Sequence, residues 1–238
     1  MPNDSRKAVQ NLAELGYKYV RGPTESPNDY VLSPAFVWKG QDDYNAVAAA
    51  CVAWVRAALV SMCGLTPLPI KAPGSKPGGA GCALVSPGIK THRGPILLLV
   101  CGSAPGGDAG VWGRALCIND STHKGAMFEA VERAHTRGWK VVVADPHGDA
   151  VAPHRHMHAL WAQLAVGPDR QLLVIAHSYG ASLVIGMLKA AQVAGEDLTT
   201  VRAVALTDGM VWTLRGWEGG KMWEWAYNAH DVEAYETH

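Results

Sequence analysis

"LLVIAHSYGASLVIGMLKAA", residues Leu172 to Ala191, joins an apolar run to a segment of helical composition through Ala176, His177, Ser178, Tyr179 and Gly180. The run before the serine contains only Leu, Val, Ile and Ala, which reads as a strand buried on both faces. Small residues stand two positions before and two positions after Ser178. A sharp strand-to-helix turn demands that spacing sterically, so the stretch has the outline of a nucleophile elbow. A helix N-terminus also tolerates serine without any chemistry.

The flanking sequence repeats the same alternation. "CALVS", "ILLLV" before Cys101, "WKVVVAD", "QLLVIA" and "VRAVALTD" read as strands. Between them, helical spacing is expected from Asp42 to a stop at Gly64, from about Lys124 to Arg137 with a stop at Gly138, around His154 to Val166, and up to Ala194 with a stop at Gly195. Apolar strands alternating with amphipathic helices predict a three-layer α/β sandwich of the α/β-hydrolase type, with a mainly parallel sheet, over one domain spanning 1–238. Residues 1–40 carry "YKYV" and "DYVLSPAFVW", an antiparallel hairpin expected at a sheet edge. "KAPGSKPGGAG" at 71–81 reads as a surface loop because Pro and Gly deny it a regular ladder. Residues 209–238 read as a Trp-rich tail, with the sheet ending after the strand near Asp208.

Composition narrows the class. The chain has 238 residues, 48% of them hydrophobic, with 21 basic against 21 acidic residues. That is enough apolar matter for a sizeable core, and the balanced charge gives direct nucleic-acid binding no support. No signal-peptide pattern opens the chain and no 18-residue apolar run is read in it, so an intracellular protein, nuclear or cytoplasmic and without a membrane segment, is expected. The cysteines, Cys51, Cys63, Cys82, Cys101 and Cys117, are odd in number and form no CxxC pair, which fits buried thiols better than disulfides or zinc ligands. "HRHMH" sets His154 and His158 at i,i+4 spacing, but nothing nearby completes a ligand set, so a solvated face is expected and no metal or cofactor. Trp212, Trp217, Trp223 and Trp225 suggest either packing over the sheet or a groove for a partner.

In a parallel sheet, ligands gather at the carboxyl ends of strands. Cys101-Gly102-Ser103, Asp145-Pro146-His147, His177-Ser178-Tyr179 and Thr207-Asp208-Gly209 all fall there. Ser178 would be the nucleophile, the N–H groups of Tyr179 and of Gly102 or Ser103 the oxyanion donors, Asp208 the orienting acid, and His147 or His230 the base. In hydrolase chain order the histidine follows the acid, and only His230 and His238 do so here. No strand is read after Asp208 to carry a histidine loop, so the triad is incomplete.

The segments "ILLLVCGSAPGGDAGVWGRALCIND", "GWKVVVADPHGD", "LLVIAHSYGASLVIGML" and "VRAVALTDGMVW", in this order, resemble the Argonaute-binding (Arb-two) domain family. The opening "LGYKYV" and the helix from Asp42 fit its start, so the resemblance covers nearly the whole chain. Its most specific pieces are AHSYG at 176–180, ALTD at 205–208, and the pattern Trp112, Arg114, Leu116 and Asn119. The resemblance implies an α/β-hydrolase-like fold acting through protein partners in RNA-silencing, splicing or chromatin complexes, with Ser178 and Asp208 at the family's catalytic positions. Two departures stand out: Cys101-Gly102 replaces His-Gly, and the segments that carry a candidate catalytic histidine and a charged insertion are missing. The expected function is therefore a non-catalytic, hydrolase-like interaction module, and the alternative is a serine esterase or amidase using Ser178.

Overall fold

The computed structural model describes residues 12–70, 81–103, 107–147, 152–164, 170–208, 221–225 and 234–237. The chain divides into two compact units, Met1–Leu65 with Gly110–Arg133, and Thr66–Ala109 with Ala134–His238.

The first unit opens with β1 (Lys18–Arg21) and β2 (Tyr30–Ser33), paired antiparallel from Lys18 opposite Ser33 to Arg21 opposite Tyr30. The hairpin expected within 1–40 thus forms, but as its own two-stranded sheet rather than as an edge of the large one. Its apolar side is taken up locally: Tyr17 and Leu32 pack with Val47, Ala48 and Cys51 of helix α1 (Gln41–Ser61) and with Ile118. By length and composition alone α1 is long and apolar enough to cross a membrane, which the sequence reading did not register; half of its most apolar stretch is buried inside the protein.

Short helices α2 (Arg114–Asn119) and α3 (Thr122–Gly125) follow, and then α4 (Phe128–Thr136). The single helix expected from Lys124 to Arg137 is broken because Ala126 is extended, at φ −115° and ψ 166°, and bridges Val111. Gly125 sits so close to α2 that an added Cβ would lie 2.5 Å from the Cys117 nitrogen.

The second unit holds an eight-stranded sheet: β3 (Thr66–Ile70), β4 (Gly81–Val85), β5 (Pro95–Val100), β6 (Lys140–Ala144), β7 (Gln171–His177), β8 (Val201–Thr207), β9 (Lys221–Trp225) and β10 (Ala234–Thr237). Its order is β10-β9-β8-β7-β5-β6-β4-β3. The run from β6 through β9 is parallel, whereas β3, β4 and β10 pair antiparallel to their neighbours. Counted within this sheet alone, the strands lie 1-2-4-3-5-6-7-8, and the fold is α/β-hydrolase-like. Helices α5 (Pro153–Leu164) and α6 (Tyr179–Val193) complete it, and Met157, Leu160, Leu183, Val184 and Leu188 from them pack with Leu98, Val100, Val174 and Leu206 of the strands.

Three strands of this sheet lie outside the sequence reading. β3 was hidden by Pro67 and Pro69, which an edge strand tolerates because its outer side needs no ladder donors. The sheet also does not stop at Asp208: β9 continues it parallel to β8, from Ala203 opposite Lys221 to Thr207 opposite Trp225, and β10 follows. Trp223 and Trp225 therefore belong to a strand, consistent with the strand preference of aromatic residues. All five cysteines are free thiols.

At the other end of the sheet, Ser86 is 1% exposed and ties three elements together. Its N–H donates to Val141 O at 2.9 Å, its Oγ accepts from Val141 N–H at 2.8 Å, and the same hydroxyl reaches His135 Nε2 at 2.9 Å. Ser86 is too buried to act as a nucleophile, and its two bonds to Val141 hold the end of β4 against β6. Ser86→Ala leaves the Val141 donor unmatched, and a loss of about 1–3 kcal/mol in urea-unfolding free energy is expected.

Candidate functional site

The site grows from the end of β7. Ser178 adopts φ 52° and ψ −127°, a left-handed backbone rare for a residue with a side chain. Its N–H donates to Thr207 O at 2.8 Å, which ties the turn to β8, and its carbonyl accepts from Ala181 N–H at 3.0 Å as α6 begins. Gly180 explains why the motif needs a small residue there. A Cβ would lie 2.3 Å from Cys101 O and 2.8 Å from Val100 O, so only glycine lets α6 start against the end of β5.

Gly102 flanks the hydroxyl, since a Cβ on it would stand 3.1 Å from Ser178 Cβ and 3.5 Å from Ser178 Oγ. The structure thus brings Ser178, Tyr179 and the backbone at Gly102 to one rim, with Ser103 exposed beside them. Main-chain amides beside a serine can hold a developing oxyanion.

The imidazoles are engaged differently from the expected triad. His177 Nδ1 lies 3.1 Å from Thr207 Oγ1. His154, on α5, places Nε2 3.4 Å from Tyr179 OH, with ring centroids 6.3 Å apart. His147 packs its ring 5.7 Å from that of Tyr179, at 44°. Tyr179 therefore contacts two histidines, and among the described residues no histidine bonds the Ser178 hydroxyl. Asp208 follows β8 at φ 50° and is exposed, with no hydrogen bond to an imidazole among the described residues. His230 lies outside the described residues. The solvated-face reading of "HRHMH" holds for the exposed His154 and His158 and fails for His156, which is 1% exposed.

Behind the rim, Cys101 is fully buried, and burial pushes its thiol up to about 12, with Asp108 and Asp145 adding to the rise. Burial and the two carboxylates favour the neutral thiol, a poor nucleophile. Burial lowers the pKa of His147, although Asp145 and Asp108 pull it the other way, and burial with nearby Lys140 lowers that of His135. Both are favoured neutral in the fold, so the unfolded chain takes up protons first as pH falls. Their contribution is complete above the unfolded value of about 6.5 and is lost through the lower folded values. Urea midpoints measured against pH should decline from there, and the combined His135→Gln and His147→Gln variant should flatten the decline. Sequence reasoning placed His147 on the rim but missed the Tyr179–His154 pair and Asp108, which no local pattern announces.

No family model matches the sequence. A FAM172 family protein homologue from Caenorhabditis elegans is 26% identical over 211 residues, covering 84% of this chain and 65% of that protein, so the chain spans just under two thirds of its length. Among solved structures, a bacterial heroin esterase aligns with a TM-score of 0.43 at 19% identity, over 71% of this chain and 53% of its own. A hyperthermophilic esterase from the archaeon Pyrobaculum calidifontis aligns with a TM-score of 0.41 at 19% identity, with the same coverage of 71% and 53%. The chain is similar to a FAM172 family protein; its fold assignment rests on strand order and on the backbone at Ser178.

Proposed function

We propose that this protein is a hydrolase-like interaction module without serine-hydrolase turnover, akin to the Arb-two domain, working through protein partners in an RNA- or chromatin-linked complex in the nucleus or cytoplasm. The observation that carries the reading is the placement of the imidazoles at the rim among the described residues: His177 Nδ1 lies by Thr207 Oγ1, while His147 and His154 stand against Tyr179. A serine hydroxyl without a base is a weak nucleophile. The similarity to a FAM172 protein supports the same direction, because FAM172 is related to Arb-two-like proteins. Equal numbers of acidic and basic residues favour protein partners over a nucleic-acid backbone.

The alternative, a serine esterase or amidase, is favoured by the Ser178 conformation and by Gly102 at its side. It would use Ser178 as nucleophile, Tyr179 with Gly102 or Ser103 as oxyanion donors, Asp208 as acid and His147 or His230 as base. A fluorophosphonate probe separates the two. The module reading expects no Ser178-dependent labelling at any pH from mildly acidic to mildly alkaline; labelling abolished by Ser178→Ala would establish the esterase reading instead. For the interaction half, the tagged protein should migrate in its own cell extract well above its monomer mass, and migration as a free monomer would refute it.

A further inference from the structure

The first unit carries a series of aromatic rings that grades from core to solvent. Tyr17 is 6% exposed, and its ring lies 6.2 Å from Phe36. Phe36 meets Tyr44 edge-on at 6.0 Å, and Tyr44 meets Trp38 at 5.7 Å with 40° between the planes. Phe36 and Tyr44 pack against the buried cluster around Tyr17, Val47 and Cys51, so the core fixes them. Trp38 is 60% exposed, beside Val37 at 64%. An indole left in water on top of anchored rings is a patch that folding does not explain, and Trp and Tyr dominate the energetics of recognition surfaces.

The charge beside this patch is acidic. Asp42 and Asp43 open α1 directly before Tyr44, and Lys39 is the adjacent opposing charge. Asp43 Oδ2 is shielded from solvent and has no hydrogen-bond partner among the described residues. The faces of aromatic rings attract cations, and two carboxylates at their border repel anions and strengthen that preference. The positive end of the α1 dipole opposes a cation here, but two first-turn carboxylates outweigh its half charge.

We propose that Phe36, Trp38 and Tyr44, bordered by Asp42 and Asp43, form a docking site for a lysine or arginine side chain of a basic segment in a partner protein. This goes beyond the interaction-module reading by naming a surface and its chemistry, and it does not depend on Ser178; labelling of that serine would leave it standing.

The test uses the full chain and fluorescence anisotropy with a labelled oligolysine peptide, against an oligoglutamate control. Oligolysine is expected to bind and oligoglutamate not to bind. Trp38→Ala should weaken binding about tenfold or more, equivalent to about 1.4 kcal/mol, Trp38→Phe should keep most of it, and the Asp42→Asn, Asp43→Asn double variant should weaken it and reduce its salt sensitivity. Because Trp38 is mostly exposed, its substitution should leave the melting curve in place. The proposal is overturned if oligolysine fails to bind, if oligoglutamate binds equally well, if Trp38→Ala binds like wild type, or if Trp38 proves to be covered by a second copy of the chain in solution.

Discussion

Gly180→Ala should lower the melting temperature by roughly 6–12 °C, corresponding to about 3 kcal/mol for a chain of this size. The added methyl would stand 2.3 Å from Cys101 O and 2.8 Å from Val100 O. Both atoms are backbone, so no rotamer change can make room. Relief requires α6 to move off the end of β5, in a region where Ala181, Leu183 and Val184 are buried with no exposed surface. Thermal unfolding followed by circular dichroism reads the effect directly. A variant melting within a degree or two of wild type would mean that the turn at Ser178 does not press against β5.

Phe128→Ala should cost about 3–5 kcal/mol, the range for deleting a fully buried aromatic side chain. Phe128 is 0% exposed at the start of α4 and meets Trp54 at 6.4 Å and 86°, an edge-to-face pair. Truncation removes that contact and leaves a cavity that the neighbouring helix α1 can fill only by shifting a 21-residue element. Phe128→Leu, which keeps most of the volume, should cost distinctly less. Urea unfolding followed through tryptophan emission would report both, and a cost for alanine under about 1 kcal/mol would contradict the packing described.

β5 and β6 were legible because a strand covered on both faces has few polar residues to blur its outline, whereas β7, expected to be buried on both faces, alternates between buried and half-buried residues and was legible from its unbroken apolar run Leu172–Ala176. The turn at Ser178 was legible because steric crowding allows few residue types at Ala176 and Gly180. What escaped the sequence has nonlocal causes. Ala126 is a good helix former, and pairing of Gly125, Ala126 and Met127 with the Gly110–Gly113 segment holds it out of the helix. Pro67 and Pro69 signal a loop until β3 is known to be outermost. The rim positions of Gly102, His147, Ser178 and Tyr179 could be read because each follows an apolar run. The direction of the histidines could not, because whether His147 and His154 face Tyr179 or the serine depends on how α5 and the chain after β6 settle on the sheet.

The prolines of β3 have one more consequence. An outermost strand ordinarily offers a row of unused amide donors, on which a strand from another molecule can grow the sheet. Here donors are missing at Pro67 and Pro69, paired opposite Leu84 and Cys82, so the β3 border of the sheet is a poor template for its own extension. Protection against aggregation is thus built into the same residues that disguised the strand.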